Sequence, residues 1–505
     1  MDTPKPLNRR EFISTAAATA ATFTIVPSHV IAGTRGTPPS EQIALAQVGC
    51  GTQGLVEMNY MLKDDRIRLI AVCDPNKFST DYIDWNMNRI NDRVRQTLED
   101  DSWGRDVAGI QGGRDVAKAY ADRYYGKFKR SGNYKGCVAY EDFREMFANH
   151  EGLDGVKIMT PDHLHGTISL QALDQGLHVA THKPIANRLQ EGMRVVEKAA
   201  KTDAITHLLA WADIPQYQLI LEWIEAGVIG ELQEIHNWTA RPVWQQWTER
   251  PGDSPPIPEG LNWDLWLGPV PDMPYHPNYT HNVFRGWYDF GGGSVADMGH
   301  YSLFPLFEAF GIDRAPTRVT GYGTRHRVAE GNLYRWLKGD VAFPPSAMIR
   351  WRFPEQATLP SFELFWYDGG KKPFPPEELE RDGREMPDEG LLFVGSEGKI
   401  MSGFRGATPQ IIPRDRMRKY AGRKSVRGGN DSYESYPWID HFYNRTPSPG
   451  SFVRAKTVTE TINLGAVALQ TRGSIEYDAA SQKITNNQEA NLLLTRVYRP
   501  GWEIT

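Results

Sequence analysis

Over the first two hundred residues, short apolar runs alternate with stretches whose apolar residues recur at helical spacing. Ile43 to Val48 (IALAQV) and residues 69–74 (LIAVCD) read as buried strands with a helical run between them. Residues 140–148 read as a helix, 155–160 (GVKIMT) as a strand and 165–176 as a helix. Residues 178–181 (HVAT) then read as a strand and 189–200 as a helix. Strands alternating with helices predict a doubly wound parallel sheet. Past about residue 206 the rhythm changes. Residues 231–241 alternate in character, and 346–353 and 362–366 are strand-like between Pro/Gly-rich turns. This predicts a second, α+β domain with a largely antiparallel sheet. Residues 78–135 form a long polar insert, with helical periods at 82–98 and 115–125 and a glycine-rich break at 109–113. It reads as a solvated excursion, or as a lid or oligomer contact.

The first strand runs into Gly49, Gly51 and Gly54, with Thr52 and Gln53 between them, in the spacing G-x-G-x-x-G. The second strand ends in Asp74, twenty positions after Gly54. Each part has a mechanical role in holding a dinucleotide. Gly49 allows the tight turn, Gly51 lets the backbone approach a pyrophosphate, and Gly54 lets the helix pack closely on the strand. The Asp74 carboxylate can take a ribose 2′-hydroxyl and would repel a 2′-phosphate, so NAD is expected rather than NADP.

At 505 residues the chain can bury more than one core. A net charge of −5 without a long basic block argues against a nucleic-acid partner. Fifteen Trp and 21 Tyr are enough both to fill cores and to stack on sugar rings. Three cysteines, Cys50, Cys73 and Cys137, are too few for a disulfide framework. Lacking C-x-x-C spacing, they argue against a cysteine zinc site, and no metal is expected. Near the start, residues 8–13 (NRREFI) put two arginines before an Ala/Thr-rich run reaching Val26. That run is too short and too weakly apolar to span a bilayer, and it looks like a twin-arginine export signal. Residues 1–32 are the expected signal, cleaved between Ala32 and Gly33, and residues 37–40 (TPPS) are a linker. No later segment reads as a membrane span. An exported, periplasmic protein is expected.

Three segments carry chemistry. Thr160-Pro161-Asp162-His163-Leu164-His165 follows a buried strand, and ligands of open α/β sheets sit outside strand carboxyl ends, so these residues should border the cofactor. Thr181-His182-Lys183-Pro184 also sits at a strand end. Beside an oxidised nicotinamide, burial and positive charge lower the pKa of Lys183 and make it a usable proton acceptor or donor. In residues 290–301 (FGGGSVADMGHY) a triple-glycine turn opens a helix carrying Asp297, His300 and Tyr301. Their spacing of three and four lets all of them line one face as a proton relay.

Together these motifs, with residues 261–279 (LNWDLWLGPVPDMPYHPNY) and the tail 486–504 (NNQEANLLLTRVYRPGWEI), resemble the glucose–fructose oxidoreductase/inositol dehydrogenase/rhizopine-catabolism (Gfo/Idh/MocA) family. The likeness runs from residue 40 onward and is nearest to an exported, long-chain branch. It implies an NAD-binding Rossmann domain over 40–205 and a C-terminal domain over 206–505 that supplies the substrate wall and the contacts of a homo-oligomer, a dimer or tetramer. It also makes Lys183 the catalytic lysine. Two departures stand out. His182 replaces the glutamate of the usual E-K-P, a residue near the ribose. In the pattern D-x-G-x-H-x-x-D, Asp297 matches, Tyr301 falls on the histidine and Phe304 on the last acid. Either Tyr301 or His300 then serves as the relay. Trp211, Asp213, Arg241, His276, Arg285, Trp287 and Tyr288 are candidate carbohydrate contacts.

Three functions remain open. The first is an NAD-dependent oxidoreductase acting on a sugar, polyol or glycoside hydroxyl. The second is a redox-neutral glycosidase or lyase that oxidises, eliminates and re-reduces. The third is a non-catalytic nucleotide-binding protein. Export of the folded chain would require NAD to be loaded beforehand and held through many turnovers. That raises the standing of the redox-neutral cycle.

Overall fold

The computed structural model describes residues 41–129, 134–420 and 436–504, so the expected signal lies outside them. The first half alternates β1 (Ile43–Val48), α1 (Thr52–Lys63), β2 (Ile67–Cys73), α2 (Arg89–Leu98), α3 (Arg114–Phe128), β3 (Val138–Tyr140) and α4 (Phe143–Asn149). It continues with β4 (Gly155–Ile158), α5 (Asp162–Asp174), β5 (His178–Thr181), α6 (Leu189–Ala199) and β6 (Thr206–Leu208). The strands form one six-stranded sheet in the order β3-β2-β1-β4-β5-β6, parallel throughout. Every residue of β1, β4, β5 and β6 is buried, because helices cover both faces. The order reverses between β1 and β4, where Val48 pairs with Ile158. The glycine turn and Thr160 therefore emerge side by side at the switch point.

Several boundaries differ from expectation for local reasons. In the insert, residues 82–88 do not continue a helix. The Asn86 carboxamide oxygen takes the amides of Asn88 (3.0 Å) and Arg89 (2.8 Å), and the chain before it makes isolated bridges from Ser79 to Gly112 and Asp81 to Ile110. Tyr140 belongs to β3, paired with Cys73, and Asp142 starts α4 by accepting the amide of Arg144 at 2.8 Å. Helix α5 begins at Asp162, so the D-H-L-H residues lie in its first turns. The sheet ends at Leu208, three residues beyond the expected boundary at 205.

The second half is built from α7 (Pro215–Glu225), β7 (Leu232–Trp238), a π turn (Val295–Gly299) running into α8 (His300–Phe310), β8 (Arg318–Gly323) and the hairpin β9 (Arg327–Glu330) with β10 (Leu333–Trp336). There follow β11 (Ala347–Phe353), β12 (Phe362–Tyr367), β13 (Gly390–Gly395), β14 (Lys399–Gly403), β15 (Gln410–Ile412), α9 (Pro437–Asn444), α10 (Lys456–Thr471), β16 (Ser474–Asp478) and β17 (Lys483–Ile484). Nine strands run β15-β14-β13-β7-β12-β11-β8-β16-β17, antiparallel except for β7 with β12. Strand β11 shows the expected alternation: Ala347, Ile349, Trp351 and Phe353 are buried, whereas Met348 and Arg352 are exposed. Helices α8 and α10 cover the inner face, where the Trp351 indole donates to Thr461 O at 2.8 Å.

One hydrophobic cluster runs from Val48 and Ile158 through Ile168 and Val195 to Ile462, Trp351 and Trp366, so the two halves share a core. The chain also returns to the first half. Trp438 and Phe442 of α9 join the cluster containing Leu45 and Leu69, and Arg496 of the tail pairs with buried Glu191 on α6. Among the described residues, no helix is long and apolar enough to cross a membrane.

Candidate active site

A cleft of about 500 Å³ lies where the switch point meets the connection between β7 and α8. Its nucleotide end is made by Gly49, Gly51, Thr52, Gln53, Gly54 and Asp74, with Thr160 and Pro161 beside them. Gly49 has φ +96°, and a Cβ there would lie 2.5 Å from the Met159 backbone; a Cβ on Gly54 would lie 2.5 Å from Gly49 O. The first turn of α1 carries no acidic residue, and Thr52 and Gln53 at its positive N-terminus line the cleft. Asp74 accepts the amides of Cys50 (2.7 Å) and Asn76 (2.8 Å), and each carboxylate oxygen keeps a lone pair for a ribose hydroxyl. Burial pushes its pKa up despite those amides and the charge of Arg114. These residues fit a dinucleotide.

The space beside Gly51 is partly taken. Its nearest neighbour is the Tyr82 ring, 3.0 Å from where a Cβ would stand, and the same ring leaves no room for a side chain on Gly112. Tyr82 packs against the His281 ring (centroids 4.1 Å), His281 lies 3.2 Å from Asp81, and the Arg241 guanidinium sits 4.7 Å above Trp85. Residues 79–85 thus strap the nucleotide half to the C-terminal half along the cleft. Sequence reasoning did not single out Tyr82 or Trp85. The signal was Gly112, whose missing side chain leaves the space that the Tyr82 ring fills.

At the other end, Lys183 from the β5 end is 1 % exposed at the side chain and forms an ion pair with Asp297. Arg285 Nε stands 3.5 Å from the same carboxylate oxygen, and Lys183 Nζ lies 4.8 Å from the centre of the Tyr301 ring. Burial pushes the Lys183 ammonium below its ordinary pKa; Asp297 opposes this and Arg285 adds to it. Burial alone would raise Asp297, but the two adjoining cations outweigh it and hold the carboxyl below its usual range. Tyr301 OH is 3.0 Å from His182 Nε2.

The expectation that Asp297, His300 and Tyr301 share one face is corrected. The π turn is wider than an α turn, so Asp297 and Tyr301 line the cleft while His300 points inward. His300 is fully buried, its Nδ1 lies 2.9 Å from Ala296 O, and burial pushes its pKa down to about 3.

Asp162, His163 and His165 also stand behind the cleft wall. Asp162 accepts the amide of Gly292 at 3.1 Å, His163 lies between Trp266 O (Nε2, 2.9 Å) and Phe290 O (Nδ1, 3.3 Å), and His165 lies between Pro184 O (Nδ1, 2.6 Å) and Thr160 O (Nε2, 2.8 Å), each able to donate to one of its two carbonyls. They fix the wall and do not line the cleft. Of the candidate carbohydrate contacts, only Arg241 and Arg285 line it. Trp287 is fully buried between Tyr279 and Trp247, and Tyr288 packs on Phe343. His276 accepts the amide of Asn278 and faces Asp253, while Trp211 packs beside His207 and Asp213 is exposed. The aromatics that do line the cleft include Trp244, Trp266, Tyr275 and Phe284.

Two family models match the chain. The one described as "Oxidoreductase family, NAD-binding Rossmann fold" matches residues 113–209, and the one described as "Oxidoreductase family, C-terminal alpha/beta domain" matches 221–330. The uncharacterized oxidoreductase ORF334 of Rhizobium meliloti is 30 % identical over 296 residues, 58 % of this chain and 75 % of that protein. The chain belongs to the Gfo/Idh/MocA oxidoreductase family. Its first half is an NAD-binding Rossmann domain, as expected. Levoglucosan dehydrogenase of Pseudarthrobacter phenanthrenivorans is 33 % identical over 94 residues, 17 % of this chain and 24 % of that enzyme. A glycosyl hydrolase family 109 protein of Stenotrophomonas maltophilia is 24 % identical over 231 residues, 45 % of this chain and 41 % of that protein. The matched stretches thus span less than half of these two relatives.

Proposed function

We propose that this protein is an NAD-dependent oxidoreductase acting on a hydroxyl of a sugar, polyol or glycoside, with the cofactor held through many turnovers. The observation that carries this reading is the Lys183–Asp297 ion pair, flanked by Arg285 and Tyr301, in the same cleft as the glycine turn and Asp74. Gly49, Gly51, Gly54 and Asp74 would hold NAD, which when bound supplies the acceptor for a hydride. Asp297 orients Lys183, and Lys183 with Tyr301 brackets the oxygen of the reacting hydroxyl. Arg285 and Arg241 offer fixed donors to neighbouring hydroxyls, and Trp244 and Phe284 offer apolar faces to a sugar ring. The strap at residues 79–85 supports slow release of the nucleotide. The likeness to a levoglucosan dehydrogenase supports a carbohydrate substrate.

The test begins with mass spectrometry of the nucleotide that co-purifies, followed by a screen of sugars and glycosides for reduced-nicotinamide absorbance. Protein that neither carries nor binds a nicotinamide nucleotide would sink the reading.

A redox-neutral glycosidase or lyase is the second reading. It is favoured by the partial likeness to a family 109 glycosyl hydrolase and by the expected export, after which a released cofactor could not be replaced. Release of aryl groups from aryl glycosides without added NAD and without net NADH would select it. Export itself is tested by locating the processed chain in the periplasmic fraction. Assembly into a dimer or tetramer through the C-terminal domain is tested by light scattering.

A further inference from the structure

Two of the positions at which the chain departs from its family's motifs touch each other. His182 stands where the pattern has glutamate, Tyr301 where it has histidine, and His182 Nε2 lies 3.0 Å from Tyr301 OH. The imidazole that the pattern has at position 301 is thus supplied from the end of β5. The neighbouring His300 cannot replace it, because it is turned into the core and held at Ala296 O. Both His182 and Tyr301 line the cleft.

Lys183 is committed elsewhere. Its ammonium is paired with Asp297, and Arg285 competes for the same carboxylate. As a paired cation, Lys183 can donate a hydrogen bond to a substrate oxygen and stabilise developing negative charge. It takes up a proton only after losing its own. His182 is the neutral acceptor in the site. It faces Lys183 on its own segment, Tyr301 on α8, Arg285 ahead of the π turn, His165 on α5 and Lys157 on β4. Burial and these charges hold its pKa well below the ordinary histidine value, so the imidazole rests uncharged.

We propose that Tyr301 and His182 form one proton relay, in which Tyr301 takes the proton of the reacting hydroxyl while passing its own phenolic proton to His182 Nε2. The balance is that of an alcohol oxidation. The O–H proton ends on His182, the carbinol hydrogen leaves with two electrons to the oxidised nicotinamide, and a carbonyl remains. Tyr301 is a phenol before and after. Lys183 keeps its proton and its bond to Asp297. This division of labour rests on the proposed function above.

The test uses the full-length holoenzyme with His182→Gln, Tyr301→Phe and the double variant. Glutamine keeps an acceptor for the Tyr301 hydroxyl but cannot be protonated. Each single variant is expected to lose about 10²-fold in kcat, and the double variant no more than either alone, since the two act as a unit. In the wild type, kcat/KM for oxidation falls as pH drops through the His182 pKa, and this acid limb disappears in His182→Gln. Independently of turnover, proton NMR titration, with the His182 signal assigned by its absence in His182→Gln, should show its pKa shifted in Tyr301→Phe. Multiplying losses, an unchanged acid limb, or a His182 titration indifferent to Tyr301→Phe would overturn the relay. Those results leave the functional reading standing if nucleotide and turnover persist, whereas protein without bindable nucleotide overturns the functional reading itself.

Discussion

The two sheets serve the cleft in different ways. In the parallel sheet every strand points its carboxyl end at the same edge, so the turns after β1, β2, β4 and β5 converge and deliver Gly49, Asp74, Thr160 and Lys183 together. In the antiparallel sheet successive strand ends point in opposite directions, and no edge collects them. The cleft wall there comes from the long connection between β7 and α8, which carries Arg241, Trp244, Phe284, Arg285 and Asp297. That connection is positioned from outside. Asn187 donates to Asp289 O and Gly291 O, Arg188 donates to Tyr288 O, and Arg496 from the tail binds Asn187, Glu191 and Asp289 O. Groups at the parallel edge are set by the sheet itself, and groups on the other wall depend on hydrogen bonds reaching across the chain.

The largest expected effect tests the parallel edge. Lys183→Ala should lower turnover by about 10²–10³-fold while the nucleotide stays bound, as read by steady-state rates and by the absorbance of the purified protein. Unchanged turnover would remove Lys183 from catalysis, whereas bound nucleotide without any wild-type turnover would favour a non-catalytic nucleotide-binding protein.

On the opposite wall, Trp287→Ala should act through stability. Its indole donates to Asn278 O at 2.7 Å, and its ring is buried against Tyr279 and Trp247. Truncation is expected to cost about 3–5 kcal/mol, seen as a lower thermal midpoint. A raised KM at unchanged stability would restore Trp287 as a substrate contact.

Two buried histidines and one buried carboxyl should also answer pH with opposite sign. In the nucleotide half, burial holds His163 and His207 at about 3, far below the ordinary ~6.5. As pH falls from ~6.5 toward 3, the unfolded chain takes up protons that the folded chain refuses, so their contribution, full above that window, is lost on the way down. In the C-terminal sheet, burial raises Asp368 to about 7, although its oxygens accept from the Trp366 indole and the Ala347 amide. Its contribution is full below ~3.9 and is lost as pH rises through 7. Thermal midpoints measured from pH 4 to 8 should therefore fall on the acid side, and Asp368→Asn should remove only the loss on the alkaline side.

This contrast also decides what could be read in advance. Strand–helix alternation and the G-x-G-x-x-G spacing were legible because both are local, and the parallel edge turned them into a site. His300 and Tyr301 could not be separated, because the π turn that rotates one inward has no residue-type signature. Trp287 and Tyr288 were chosen for their chemistry, which serves a core as well as a sugar. The insert was read as a solvated excursion or as a lid or oligomer contact, but Tyr82 was not singled out within it, because its position depends on pairing with residues near Gly112, thirty positions along.

A smaller effect tests the strap. Tyr82→Ala removes the ring between Gly51, Gly112 and His281, and should speed nucleotide dissociation about tenfold, equivalent to ~1.4 kcal/mol, with kcat little changed. Stopped-flow displacement of bound NADH measures it. An unchanged off-rate would mean that the cofactor is retained by the parallel edge alone.

The smallest expected effect concerns the limit of the strand-end rule. Trp211 and Asp213 follow β6 just as Lys183 follows β5, yet neither lines the cleft. Strand β6 is the sheet edge, two strands beyond β4, and at about 4.8 Å per strand its end opens about 10 Å away from the switch point. There the Trp211 amide bonds Leu208 O at 3.0 Å, and its side chain packs beside His207 and against Gly450, leaving Asp213 to solvent. Trp211→Phe and Asp213→Asn should therefore keep kcat/KM within about twofold, the span of ~0.5 kcal/mol typical of surface changes. A larger loss for Asp213→Asn would require a substrate long enough to reach the sheet edge, and comparing KM for a monosaccharide and a longer glycoside would expose that reach.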